Sequence, residues 1–365
     1  MKVALVHDDF TQVGGAESLF ATIASIFPDA PIYTSLVNWQ KIPNSIEPKR
    51  IITSFIQNIP FATKFYKVLL PLYPLAFESF DFSNYDLVIS STTRFAKSII
   101  TKPKTVHISY VNSIPRFLWL DQVGGKYVPI YLKFALKPII SNLKRWDKVS
   151  AQRVDYYIAN SQNVAGKIKK IYGRDSKIIY PFANSNFFRP AKIHNWELKN
   201  QNYYLVVTRL VKWKKVDIAI KAAISSDIKL FIIGDGPDKN RLQKIAAKSK
   251  NIKFLGRVTR GQLRNYYRNA KALIVTQEED FGIAALEAQC CGKPVIAYRK
   301  GGVVEIVIEG KTGVFYDSQD GESLKDAIKC ASRVKWNEAH IRKNALNFSR
   351  MSFVKKLKDL VRKYV

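Results

Sequence analysis

Sulfur is scarce in this chain. Its 365 residues include three cysteines and two methionines. Cys290 and Cys291 are adjacent and Cys330 stands alone. That leaves no spaced, even set for a disulfide framework and reads as a chain kept in a reducing compartment. Histidine is equally thin. His7, His107, His194 and His340 are scattered, and no pair has the spacing of a zinc site. No Asp-x-Asp and no Walker-type lysine motif occurs, so no metal and no cofactor are expected. Long apolar runs are missing too. None reaches the ~18 uncharged residues of a spanning helix. The nearest, VLLPLYPLAF (68–77), lies between Lys67 and Glu78 and holds Pro71 and Pro74. In the opening MKVALVHDDF a four-residue apolar run meets two acids, so no secretory leader is read there. Acids are the last scarcity: 29 Asp and Glu stand against 59 Lys and Arg, a formal charge of +30. Such an excess points to anionic partners: nucleic acid, anionic lipid or phosphorylated small molecules.

What is present argues for a folded chain. Hydrophobic residues make up 47%, enough for packed cores, and the length exceeds what one core serves, so two domains are expected. Short apolar strands alternate with helical spacing from the start: KVALVHD, LFATIASIF, PIYTSLV, DLVISST (86–92), TVHISYV (105–111), YYIANS and KIIYPF (177–182). The polar stretch 184–202 reads as a linker. The alternation then restarts with YYLVVTRL, VDIAIKAAI, KLFIIGDGP, NIKFLGRV, ALIVTQ, FGIAALEAQCCG, PVIAY and GVFY. This pattern predicts two doubly wound parallel α/β sheets. The boundaries expected are 1–186 and 187–347, with a helix over 348–365. On that helix Phe353, Leu357, Leu360, Val361 and Tyr364 share a face and the lysines populate the others.

In open α/β sheets, ligands bind beyond the carboxyl ends of strands. Four candidate stretches lie there. Gly14 and Gly15 follow the first strand and let backbone N–H groups approach a phosphate or sugar; a plain tight turn is the alternative. Arg209 and Lys214, five apart, suit a diphosphate as a fork and a point charge; two surface cations are the bland reading. GDGP (234–237) is a turn first. In EEDFGIAALEAQCCG, Glu279 and Glu287 have seven residues between them. Glu279 falls at a loop–helix junction, where an acid suits the helix dipole. Glu287 follows just over two turns later, so the pair can accept from hydroxyls on one side of a helix. A carboxylate pair also suits glycoside hydrolysis, but there the acids face each other across a cleft.

With these stretches in view, the chain resembles the retaining glycosyltransferases of family 4. HDDFTQVGGAE, DLVISSTTRFAKSI, HISYVNSIPRF, ANSQNVAGKIKKIYG, YYLVVTRLVKWKKVDIAI, FIIGDGP, FLGRV and EEDFGIAALEAQCCGKPVIAYRKGG carry the likeness, essentially end to end. The resemblance implies a GT-B fold, two Rossmann-like domains facing across a cleft, with the C-terminal helix crossing back to the first. It implies a metal-independent hexosyltransferase that moves mannose from GDP-mannose, or a sugar from a UDP donor, to a lipid-linked or polysaccharide acceptor. A non-catalytic nucleotide-sugar-binding relative is the alternative. By the same resemblance Arg209, Lys214 and Glu279 are catalytic. Gly14, Gly15, Asn112, Val258, Phe281, Gly282, Ile283 and Glu287 contact the donor. Asn112 stands where the subgroup carries a histidine; it can hydrogen-bond a hydroxyl but not carry a proton. His107 is expected in the core. The implied location is cytoplasmic, peripheral on the inner membrane face. Contact with the anionic surface is expected through 59–77 or 126–146, and no nucleic-acid partner is expected.

Overall fold

The structure is a computed structural model that describes residues 1–66, 68–120, 130–190 and 202–365, with 130–136 as backbone. Most of the 184–202 linker and the start of the 126–146 segment lie outside the described residues. The chain divides into two compact units, Met1–Tyr180 with Val354–Val365, and Pro181–Phe353.

Unit 1 holds a parallel sheet of seven strands. They are β1 (Val3–His7), β2 (Ile32–Thr34), β3 (Ile51–Thr53), β4 (Leu87–Thr92), β5 (Val106–Val111), β6 (Tyr156–Ala159) and β7 (Ser176–Ile178). Their order is β3-β2-β1-β4-β5-β6-β7. Central strands such as LVISST in β4 are buried along their whole length, as a sheet covered on both faces requires. The helix Gly15–Ile26 follows β1, and Gln162–Tyr172 follows β6. Ser161 starts the latter by accepting from the Val164 N–H, and Gly173 at φ 71 ends it. His107 is fully buried in β5. Its Nε2 lies 2.9 Å from the Ser90 hydroxyl, and burial holds its pKa down at about 3. It is a core histidine.

Unit 2 repeats the theme with six strands: β8 (Tyr203–Val207), β9 (Lys229–Ile233), β10 (Ile252–Gly256), β11 (Leu273–Val275), β12 (Val295–Tyr298) and β13 (Gly313–Tyr316). The order is β10-β9-β8-β11-β12-β13, all parallel. The amphipathic helix Gly321–Arg333 buries Leu324, Ala327, Ile328 and Ala331 against this sheet. The closing helix runs Arg350–Tyr364; its residues from Val354 onward belong to unit 1. There Tyr364 stacks on Tyr156 at 3.6 Å, and Leu357 and Val361 are buried.

The structure differs from the sequence reading in detail. Strand β3 is absent from that reading: IIT offers three residues and no alternation. The expected strand over 177–182 is observed as Ser176–Ile178; its neighbour β6 ends at Ala159, so the ladder closes with the Ile179 N–H bond to the Ala159 carbonyl.

Candidate active site

Because both sheets are parallel, the carboxyl ends of all strands in a unit lie on one edge. Each strand order reverses once, and the crevice at that reversal is where ligands enter such sheets. In unit 2 the reversal falls between β8 and β11. Arg209 and Lys214 follow β8, and Glu279 follows β11. Lys214 Nζ meets Glu279 Oε1 at 2.7 Å, so an ion pair spans the switch point. Lys214 also sits over the Trp213 ring, 4.3 Å from its centroid. Its carbonyl accepts from the Thr276 hydroxyl at 2.7 Å, which binds the two strand ends together. Gln277 donates to the same oxygen of Glu279. Both charged side chains are mostly shielded from water, at 12% and 20% exposure, so their attraction is stronger than at a surface.

Glycines permit this close packing. At Gly301, where φ is +83, a Cβ would lie 2.2 Å from the Glu279 carbonyl oxygen; at Gly302 it would lie 2.3 Å from that of Asp280. The Gly302 N–H donates to the Glu279 carbonyl at 2.8 Å. Only glycine lets this turn lie against the acid's backbone. The GDGP turn does the same for Arg209. A Cβ at Gly234 would come within 1.9 Å of the Thr208 carbonyl oxygen, and one at Gly236 within 2.3 Å of that of Leu210. Arg209 itself is exposed at this edge. Val258 follows β10 and precedes Thr259, which caps the helix Arg260–Asn269 in a reciprocal capping box with Gln262.

The helix Ile283–Cys290 begins after Gly282, whose φ is 111. Glu279 therefore lies in the loop ahead of the helix, not in its first turn. Phe281 is buried against Phe348, 5.7 Å between ring centres, which anchors the loop. First-turn N–H groups have no helical carbonyl to bind, so Ile283 opens a helix start suited to an anion. Glu287, one turn on, is paired elsewhere. It accepts from the Tyr267 hydroxyl at 3.0 Å. Burial lifts its carboxyl to about 7, although Tyr267 and Arg260 both act against the rise. Topology thus puts Arg209, Lys214, Val258, Glu279, Phe281, Gly282 and Ile283 at one edge of the unit 2 sheet, with Glu287 one turn inside the helix that starts there.

In unit 1 the reversal lies between β1 and β4. Asp8, after β1, accepts from the backbone N–H groups of Thr93, Arg94, Phe95 and Ala96 and from the hydroxyls of Thr92 and Thr93. Asp9 pairs with Arg94. The two carboxylates fix the β4 loop. Gly14 and Gly15 are exposed at the start of the first helix. A Cβ at Gly14 would approach the Glu17 carboxylate to 2.9 Å. Glu17 is buried, which raises its carboxyl to about 7. Asn112 ends β5 on this edge. Its side-chain amide donates to the Ser91 hydroxyl at 3.0 Å, and its backbone carbonyl accepts from the Asn160 side chain at 2.8 Å. Sequence reasoning passed over Tyr267 and Glu17. Tyr267 had only one signal, a hydroxyl on the inward face of LRNYYRNA.

Known proteins resemble this chain in part of its sequence and in its whole fold. Residues 189–348 match the family model described as Glycosyl transferases group 1. The match lies within unit 2 and takes in every candidate residue named there. An uncharacterised glycosyltransferase of Methanocaldococcus jannaschii is 27% identical over 298 residues, 78% of this chain and 77% of its own. The D-inositol 3-phosphate glycosyltransferase of Streptomyces bingchenggensis is 30% identical over 188 residues, 44% of this chain and 41% of its own. The fold extends further than the sequence. Anabaena HepE, solved with UDP and glucose, superimposes at a TM-score of 0.73 with 18% identity, covering 99% of each chain. Sucrose-phosphate synthase from Thermosynechococcus elongatus gives 0.76 at 17% identity, covering 100% of this chain and 99% of its own. The fold is the two-unit Rossmann-like α/β fold of such GT-B proteins.

Proposed function

We propose that this protein is a retaining hexosyltransferase that takes its sugar from a nucleoside-diphosphate donor bound on unit 2. The observation that carries the reading is the Lys214–Glu279 pair at the switch point of a group 1 glycosyltransferase domain. On donor binding the diphosphate takes over Lys214 and the sugar hydroxyls take over Glu279, so one ion pair becomes two ligand contacts. Glu287 accepts from the ribose diol. The bond between the sugar's anomeric carbon and the phosphate oxygen breaks, and the acceptor oxygen bonds that carbon on the same face. The acceptor's proton passes to the departing phosphate oxygen. Negative charge builds on the diphosphate, and Arg209, Lys214 and the helix start at 281–283 offset it. The sugar is mannose from GDP-mannose by family resemblance. A UDP-hexose is the second reading, favoured by the HepE complexes with UDP and UDP-glucose.

The acceptor is a lipid-linked saccharide, and unit 1 supplies the membrane contact. No described helix is long and apolar enough to cross a membrane. Segment 59–77 instead exposes Phe61, Phe65, Val68, Leu72 and Leu75. Phe61 is 75% exposed and holds a left-handed backbone at φ 56, a strained state for a bulky residue that asks for a use. Inner residues of the same segment, Tyr66, Leu69 and Leu70, pack in one cluster with Ile140 and Trp146 of the helix Ile130–Ser150. The two stretches suspected from sequence thus adjoin. Lys64, Lys137, Arg145 and Lys148 are exposed beside them, and each contributes on the order of 1 kcal/mol near an anionic leaflet.

A thermal-shift panel of GDP-, UDP- and dTDP-sugars identifies the donor, since a specific ligand raises the melting temperature. The Arg209→Ala/Lys214→Ala double variant loses that shift and about 10²–10³ in turnover. Wild-type turnover in the double variant overturns the assignment. Turnover that persists in EDTA supports metal-independent transfer; its loss refutes that part.

A further inference from the structure

Unit 2 contains a buried hydroxyl that its proposed chemistry leaves unused. Tyr267 is wholly buried. Burial first, and Glu287 second, push its phenol well above the ordinary range, so it keeps its proton and donates. Its oxygen lies 3.0 Å from Glu287 Oε2. Its place is fixed from three sides. The capping box of Thr259 and Gln262 sets the start of its helix. The Phe188 ring meets its ring edge-on at 5.8 Å. Arg342 donates to the carbonyls of Phe188, at 3.1 Å, and Cys290, at 2.6 Å, and so ties Phe188 to the end of the helix that carries Glu287.

We propose that Tyr267 is a positioning residue for the donor's ribose: its hydroxyl occupies Oε2 of Glu287, which turns Oε1 toward the vicinal diol. The inference rests on the reading of Glu287 as the acceptor of the donor's hydroxyls. A carboxylate free to rotate would lose that orientation, and a fixed one presents its lone pairs ready for the ligand. The bond also favours the ionised carboxylate, the only form that accepts with both oxygens. Among the described residues, few other charged or titratable groups act on Glu287. Arg260, on the Tyr267 helix, favours its charge. Cys290 and Cys291 end its own helix, and burial raises both thiols to about 12, so they stay neutral. Arg268 and Arg342 act on those cysteines.

The test is the affinity of the full chain for GDP and for UDP, by calorimetry from pH 5.5 to 9. Variants are compared at each pH, so the nucleotide's own titration cancels. In wild type, affinity strengthens as pH rises through about 7, where Glu287 ionises. Tyr267→Phe keeps the ring and removes the bond. It weakens binding about tenfold at pH 7 and moves the rise roughly one pH unit upward. In a Glu287→Gln background, Tyr267→Phe produces no shift of the pH profile. An unshifted profile for Tyr267→Phe, alongside weakened binding by Glu287→Gln, overturns the positioning role. Unchanged binding by Glu287→Gln instead overturns the reading of Glu287 on which it rests. If Tyr267→Phe unfolds, Phe188→Leu, which loosens the ring without touching the hydroxyl, must show a smaller shift in the same direction. A profile unmoved by Phe188→Leu then overturns the proposal.

Discussion

Glu287 should cost the protein stability at the pH where it serves. Its carboxyl is raised from 4.5 to about 7 in the folded chain by loss of water. A raised carboxyl works against folding in one direction. Below about 4.5 both folded and unfolded chains are protonated and nothing is lost. As pH climbs toward 7 the unfolded chain ionises while the folded one keeps its proton, and stability falls; above 7 the loss is complete. The full displacement corresponds to roughly 3.4 kcal/mol. The side chain is partly exposed, and water screening brings this to about 2 kcal/mol. Glu287→Gln removes the titration and keeps an oxygen for Tyr267 to donate to. Its melting temperature should therefore exceed wild type by about 4–8 °C at pH 8.5, with the gap closing toward pH 5. Scanning fluorimetry of both proteins across that range reads the effect directly. A gap that does not vary with pH, or a less stable variant at pH 8.5, would refute the argument. The same variant should bind nucleotide more weakly, a trade of function for stability.

Other consequences are equally concrete. Replacing Phe61, Phe65 and Val68 together with serine should abolish flotation with vesicles of mixed phosphatidylcholine and phosphatidylglycerol without lowering the melting temperature. Unchanged flotation, or a wild type that self-associates through this face and ignores vesicles, rejects the membrane contact. Gly301→Ala should cost about 1–3 kcal/mol and weaken nucleotide-sugar binding, because its Cβ meets the Glu279 backbone at a left-handed φ; unchanged binding would remove Gly301 from the site. Lys97 is 1% exposed and paired with Asp147, which is 0% exposed. Asp147 also accepts from the Trp119 indole at 2.7 Å and the Tyr172 hydroxyl at 2.8 Å. Lys97→Met should lower stability by about 3–5 kcal/mol, and Lys97→Met/Asp147→Asn by less. Denaturant titration separates the two outcomes, and an equal loss in both variants contradicts the charge argument.

Much of the fold was legible because period and punctuation agreed. TVHISYV and PVIAY are β-rich runs bounded by polar or glycine residues, and each is a strand. The failures have local causes. IIT in β3 is too short to show a period, and β7 stops where its neighbour β6 ends. The candidate residues of unit 2 could be listed from the sequence because they follow strand ends, where the sheet directs the chain toward one edge. What a sequence cannot display is who pairs with whom. Glu279 and Glu287 look like partners along one helix. In space each answers to a different residue far away in the chain, Lys214 for one and Tyr267 for the other. Asn112 was visible as an oddity, but its bond to Ser91 depends on the register of β4 beside β5. Glu17 was hidden because an acid in a first helical turn is ordinary; only its burial is not.

The closing helix has a further meaning for how the protein is made. Unit 2 is one continuous stretch, Pro181–Phe353, whereas unit 1 is Met1–Tyr180 completed by Val354–Val365. A ribosome therefore releases every residue of unit 2 before unit 1 can be finished. The usual order, first domain folded first, is reversed at its last step. Until Tyr364 reaches Tyr156, β6 lacks that stacking partner. A nascent chain stalled just short of residue 354 would carry a complete unit 2 and a unit 1 without its closing helix. That is the stage at which a chaperone would find most to hold.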